Sequence, residues 1–174
     1  MKKIIALTLV LLVLAGCGAS GVKTGLGSVS TAKSTEAVED KNASVQANVT
    51  MCAASFDANG KILSITFDAV QPKLEITAEG KAPEATGEFK SKKEKKEEYG
   101  MKGASAIGKE WYEQAGALED WMTGKNVSDV LNMKTKAANE EHPCVPDEAD
   151  LASTCTMDVE DFLAALQEAY DLAK

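Results

Sequence analysis

From Val45 onward, Val45, Ala47, Val49, Met51 and Ala53 alternate with Gln46, Asn48, Thr50 and Cys52. A period of two predicts a half-buried strand, because successive side chains leave a strand on opposite faces. Asn59-Gly60 follows, and both residue types tolerate positive φ, so a tight hairpin turn is expected there. The return strand would carry Leu63, Ile65, Phe67 and Ala69 on one face. After Pro72, a shorter third strand would carry Leu74, Ile76 and Ala78. The pattern describes an antiparallel meander with one face awaiting a cover.

The second half changes period. Ile107, Trp111, Ala115, Leu118 and Met122 recur at helical spacing and predict a helix over Ser105 to Met122, closed by Gly124. A short helix is expected from Ser128, with Val130, Leu131 and Met133 as its apolar contacts. Lys134 to Asp147 reads as loop, and Ala149 to Met157 as a last strand. Asp158 is suited to N-cap a final helix presenting Val159, Phe162, Leu163, Leu166 and Tyr170. The fold class expected is α+β. A small antiparallel sheet, the meander plus one later strand, is covered on one face by two longer helices and a short one.

Upstream the pattern differs again. Lys2 and Lys3 precede an apolar run from Ile4 to Leu14, then Leu14-Ala15-Gly16-Cys17. A basic start, a short apolar segment and a small-residue cleavage site describe a secretory signal, too short to span a membrane. The box itself resembles a bacterial lipobox, which implies cleavage before Cys17, diacylation of that cysteine and attachment to the extracytoplasmic face of the cell membrane. Gly18 to about Asn42 is rich in small and polar residues without apolar periodicity and reads as a flexible linker. The expected division is residues 1–16 signal peptide, 17–44 lipidated Cys17 and linker, and 45–174 one α+β domain.

Charge narrows the partners. The full chain carries −8, and removal of residues 1–16 leaves 17 basic against 27 acidic residues. An acidic chain with 5% aromatics lacks the basic surface and stacking rings that nucleic acid requires. The partners expected are membrane lipid, through Cys17, and no nucleic acid. One histidine argues against multi-histidine metal centres, and no metal is expected. No Ser/His/Asp set, Gly-rich phosphate loop or singled-out carboxylate pair is present, so hydrolysis is disfavoured. Lys90 to Glu98, the one basic-leaning run, reads as a solvated charged face or loop in preference to a docking patch for an acidic partner.

With Cys17 assigned to lipid, Cys52, Cys144 and Cys155 remain. Cys144 and Cys155 could close a short disulfide loop, or all three could stay thiols. Trp111 lies on the apolar stripe and reads as core. Trp121, ten residues on, is offset from it and is the tryptophan more open to a flat aromatic ligand.

Three segments in order carry a resemblance: Val45 to Ala69 with its Asn-Gly turn, Ala117 to Val130 with Thr-Gly-Lys-Asn-Val-Ser-Asp-Val, and Asp150 to Leu166. Together they resemble the bacterial FMN-binding domain of extracytoplasmic flavoproteins and electron-transfer lipoproteins. Tyr99 to Gln114 also resembles surface lipoproteins of clostridia and their relatives. The resemblance implies a role in flavin-based extracellular electron transfer, with FMN as cofactor and a flavin transferase or redox protein as partner. It places the threonine that is esterified to FMN at Thr154, with Thr156 two residues later; Leu151 and Ala152 stand where the family has serine and glycine. The cofactor-binding residues expected are therefore Thr154, Thr156 and Trp121, with no catalytic residue beyond a redox carrier's. The alternative is a surface lipoprotein without redox function that binds a ligand or a partner, or serves a structural role.

Overall fold

A computed structural model describes residues 21–38, 41–77, 79–82 and 89–174. The signal segment, Cys17 and Ala78 lie outside the described residues. Four strands form the main sheet: β1 (Lys23–Thr35), β2 (Ala43–Phe56), β3 (Ile62–Val70) and β4 (Lys73–Ile76). A helical turn α1 (Lys92–Lys95) runs into a 3-10 segment, Lys96–Tyr99. Helices α2 (Trp111–Met122) and α3 (Val127–Leu131) follow, then a two-residue ribbon of β5 (Thr135–Lys136) and β6 (Val145–Pro146), and finally α4 (Glu160–Asp171). The α+β class with a small antiparallel sheet is the observed architecture.

Most of the expected linker is a strand. All 13 residues of β1 pair with β2, from Lys23 opposite Phe56 to Thr35 opposite Ser44. Its inward positions include Gly25 and Gly27, which is why no apolar period showed. A Cβ on Gly25 would stand 1.8 Å from the Ala169 carbonyl oxygen, and one on Gly27 2.1 Å from that of Ala165. The backbone of α4 rests directly on β1, and glycine is the residue that leaves room. Thr24 and the C-terminal Lys174 exchange two backbone hydrogen bonds of 3.1 Å, fastening the end of the chain to the same strand.

In β2 the buried face has the opposite phase to the apolar alternation. Thr50, Cys52, Ala54 and Phe56 are buried, whereas Val45 is 42% exposed. The even face holds Phe56, which meets Tyr170 edge-on at 5.0 Å between ring centres. The many small apolar side chains at odd positions misled the pattern. In β3, Phe67 and Ala69 point inward as expected, but the register slips opposite Ser55 and Phe56. Leu63 falls in that bulge and is exposed, and Ile62 takes the buried place. The expected third strand adds no new row: β4 continues past Pro72 along the same edge of β2, Ala43 to Gln46. The Ala47 N–H donates to the Pro72 carbonyl at 3.0 Å, bridging the interruption.

Among the helices, α2 starts at Trp111 and not at Ser105, because Met101 to Lys109 form turns with Gly108 at φ 64°. Glu110 ends those turns: its carboxylate accepts from the Met101 N–H at 2.9 Å, and the Glu113 carboxylate accepts from the Glu110 N–H at 2.8 Å. Asn126 caps α3 through the Ser128 N–H, close to where a short helix was expected. No strand spans Ala149 to Met157; that stretch is turns, with Leu151 and Cys155 buried. The N-cap of α4 is Val159, without a side-chain cap, and not Asp158 as expected. The Asp158 carboxylate, one residue earlier, accepts from the Glu160 N–H at 3.0 Å and the Cys144 N–H at 2.8 Å, tying the start of the helix to the preceding loop. Phe67, Trp111, Leu118, Phe162 and Leu166 form the centre of one core between sheet and helices.

Candidate functional site

Where the inward face of β2 runs past the end of the core, a cleft of about 460 Å³ opens. Its floor is aromatic. Trp111 and Phe162 stack at 5.9 Å, and Phe162 meets Phe67 edge-on at 5.0 Å. Tyr99, from the 3-10 segment, adds a third ring to the lining. The volume falls in the ordinary range for small-molecule sites, about 300–1,000 Å³.

One wall is a chain of neutral polar groups. The Tyr99 hydroxyl donates to Gln71 Oε1 at 3.3 Å, and Gln71 Nε2 donates to Asn48 Oδ1 at 3.0 Å. Gln46 Nε2 donates to the same Asn48 oxygen at 2.6 Å, and Asn48 Nδ2 donates to Thr31 Oγ1 at 3.3 Å. β1 therefore braces the wall from behind. Burial holds the Tyr99 phenol above its usual pKa, with Lys95 opposing, which keeps it a hydrogen-bond donor.

Lys92 enters from α1. Its ammonium lies 4.9 Å from the centre of the Tyr99 ring and 5.4 Å from that of Trp111, an attractive arrangement over aromatic faces. Burial lowers its pKa to about 8, with Lys95 adding to the fall and Asp161 and Asp68 opposing it. The run Lys90 to Glu98 is thus not simply a solvated face. Ser91 and Glu94 form a capping box that starts α1, a signature legible as Ser-x-x-Glu in the run. Lys93 from the same turn pairs with Glu119, whose carboxylate also accepts from the Phe67 N–H at 2.7 Å.

The remaining wall comes from the 141–143 loop, Thr156 to Asp158 and the first turn of α4. Gln114, fully buried, positions it. Its amide donates to Ser105 Oγ at 3.0 Å and the Lys109 carbonyl at 3.2 Å, and its oxygen accepts from the Thr156 N–H at 2.9 Å. One side chain therefore ties the start of α2 to the cleft wall.

Of the three expected cofactor residues, Thr156 lines this cleft. Thr154 does not line it, and its hydroxyl donates to the Leu151 carbonyl at 3.0 Å within a turn. Trp121 also stands outside the lining, with the Lys125 ammonium 4.4 Å from its ring centre and no partner for its buried Nε1 among the described residues. Trp111, read as core from its stripe, is both core and cleft floor. Lys92, Gln71, Asn48 and Gln46 were missed because they meet only through the fold. Among the described residues Cys52, Cys144 and Cys155 are free thiols, and no group of three or more potential ligands could hold a metal. No helix among them is long and apolar enough to cross a membrane.

No family model matches the chain, and no solved structure matches it. It is similar to a chlorophenol reductase of Desulfitobacterium hafniense, 32% identical over 101 residues. The match covers 51% of this chain and 31% of that one, so the chain spans about a third of the length of the curated relative it matches.

Proposed function

We propose that this chain is a membrane-anchored extracytoplasmic lipoprotein, held through Cys17, whose domain binds the ring system of a flavin and serves electron transfer outside the membrane. The observation that carries the flavin reading is the union, in one cleft, of an aromatic floor with a chain of amide side chains. An isoalloxazine is flat and aromatic, with donors and acceptors alternating along its pyrimidine edge, and that cleft offers both kinds of contact. When bound, a flavin supplies one- and two-electron redox chemistry. The chain's own groups bind and orient: the half-exposed Tyr99 ring, above the buried pair of Trp111 and Phe162, receives the flat face, and Gln46, Asn48 and Gln71 present neutral hydrogen-bonding groups.

FMN is the form that the family resemblance implies, with a flavin transferase as the partner for covalent attachment. The hydroxyl of Thr154 is engaged in its own turn and outside the cleft, which favours non-covalent binding, with Thr156 as the nearer threonine. A relative named as a reductase supports the redox side of the reading. The chlorophenol in that name belongs to a chain of which this one spans 31%.

The test is fluorescence titration of the purified protein with flavin, with intact mass measured after co-expression with a flavin transferase. Saturable one-to-one quenching and no added FMN mass are expected. A gain of FMN mass that disappears in Thr154→Ala would overturn the non-covalent reading. Absence of both quenching and mass gain would leave a non-redox ligand- or partner-binding lipoprotein.

A further inference from the structure

The charges around the cleft bear on which form of flavin it takes, an inference that rests on the flavin reading above. Glu141, Asp158, Glu160 and Asp161 line the opening, against one ammonium, that of Lys92. Lys92 is already engaged with the rings of Tyr99 and Trp111, and it faces the carboxylates of Asp68 and Asp161. The N-terminal turn of α4 would ordinarily attract an anion. Here Glu160 and Asp161 occupy that first turn, and the Asp158 carboxylate takes the Glu160 N–H. The chain contains no arginine, the residue whose planar fork best matches a phosphate.

A phosphate dianion entering this opening meets the like charge of four carboxylates and one ammonium already engaged with rings. The neutral parts of the cleft, its rings and amides, carry no such conflict. We propose that the cleft selects an unphosphorylated flavin over FMN, its rings and amides receiving the isoalloxazine while the carboxylates of Glu141, Asp158, Glu160 and Asp161 keep the phosphate out.

The experiment is equilibrium titration of the full chain, purified in detergent, with riboflavin and with FMN at low and high salt. At low salt riboflavin is expected to bind about tenfold or more tightly than FMN, and the ratio to shrink as salt screens the half-exposed carboxylates. The ratio should also shrink in E141Q/E160Q/D161N, whose melting temperature checks that the fold is intact. These substitutions spare Asp158, which holds the loop. FMN binding as tightly as riboflavin would overturn the selection while leaving the flavin reading standing. A low-salt preference unchanged in the triple variant would overturn the role given to the carboxylates. If neither flavin binds, both readings fall together.

Discussion

Gln114 shows how one buried side chain holds several segments in place. Its two ends are satisfied by Ser105, Lys109 and Thr156, so removing the amide strands polar groups on both sides. Gln114→Leu is expected to cost about 1–3 kcal/mol, read by urea denaturation, and to weaken flavin binding by loosening Thr156. Loss of stability with unchanged affinity would restrict Gln114 to the core. The thiols make a second residue-scale case. Burial pushes Cys52 up to about 12, with Glu119 adding to the rise, and Cys155 up to about 11. Alkylation of the native protein is therefore expected to reach half-buried Cys144 before either of them. Because the folded values lie above the unfolded value of about 9, the native state keeps its thiol protons longer. That contribution is complete below pH 9 and is lost as pH rises toward 11 and 12. Lys92 acts in the opposite sense. Its value is lowered to about 8, so its cost is full below pH 8 and is relieved toward 10.5. The two thiols shift further in sum than the lysine, so the urea midpoint should fall above pH 9, with a shallower fall in Cys52→Ala.

Between elements, the contact of β1 with α4 is the closest backbone approach that the glycines permit. A Cβ on Gly27 would also stand 2.5 Å from the Ala169 nitrogen, and neither backbone can yield without moving the helix. Gly27→Ala is expected to destabilise by about 3 kcal/mol. Gly116, inside α2 with nothing within 4 Å of an added Cβ, is the control. Gly116→Ala should stabilise by about 0.5–1 kcal/mol. Equal effects of the two in chemical denaturation would contradict the packing described. The same contact explains what the sequence left illegible. The positions of β1 that face the helix are glycines, so the pattern that betrays a buried strand is missing where burial is closest. In β2, Val45, Ala47, Val49, Met51 and Ala53 on the other face outnumber Cys52, Ala54 and Phe56, which point inward, so a count of apolar residues favours the wrong side. Phe67, Leu118, Phe162 and Leu166, which are large and spaced at the right period, were legible as core. The cleft was less so, because Gln46 and Asn48 read as polar separators in a strand and Lys92 as part of a charge run.

For the whole molecule, the acidity of the chain after Cys17 bears on the proposed anchoring. With 17 basic and 27 acidic residues after Cys17, a domain anchored as proposed would be repelled by anionic lipid, and its attachment would rest on the acyl chains. Cys17→Ser is expected to move the protein from the membrane fraction to the soluble one after fractionation, and persistence in the membrane would contradict the anchor. In the cleft, sheet, α1, α2 and α4 bring together rings and amides that are far apart in the chain. The most direct test of flavin binding there is a crystal structure of the protein with riboflavin. The flavin ring is expected to lie in this cleft beside Tyr99, over Trp111 and Phe162, with its polar edge toward Gln71 and Asn48. A flavin bound elsewhere, with this cleft empty, would contradict it.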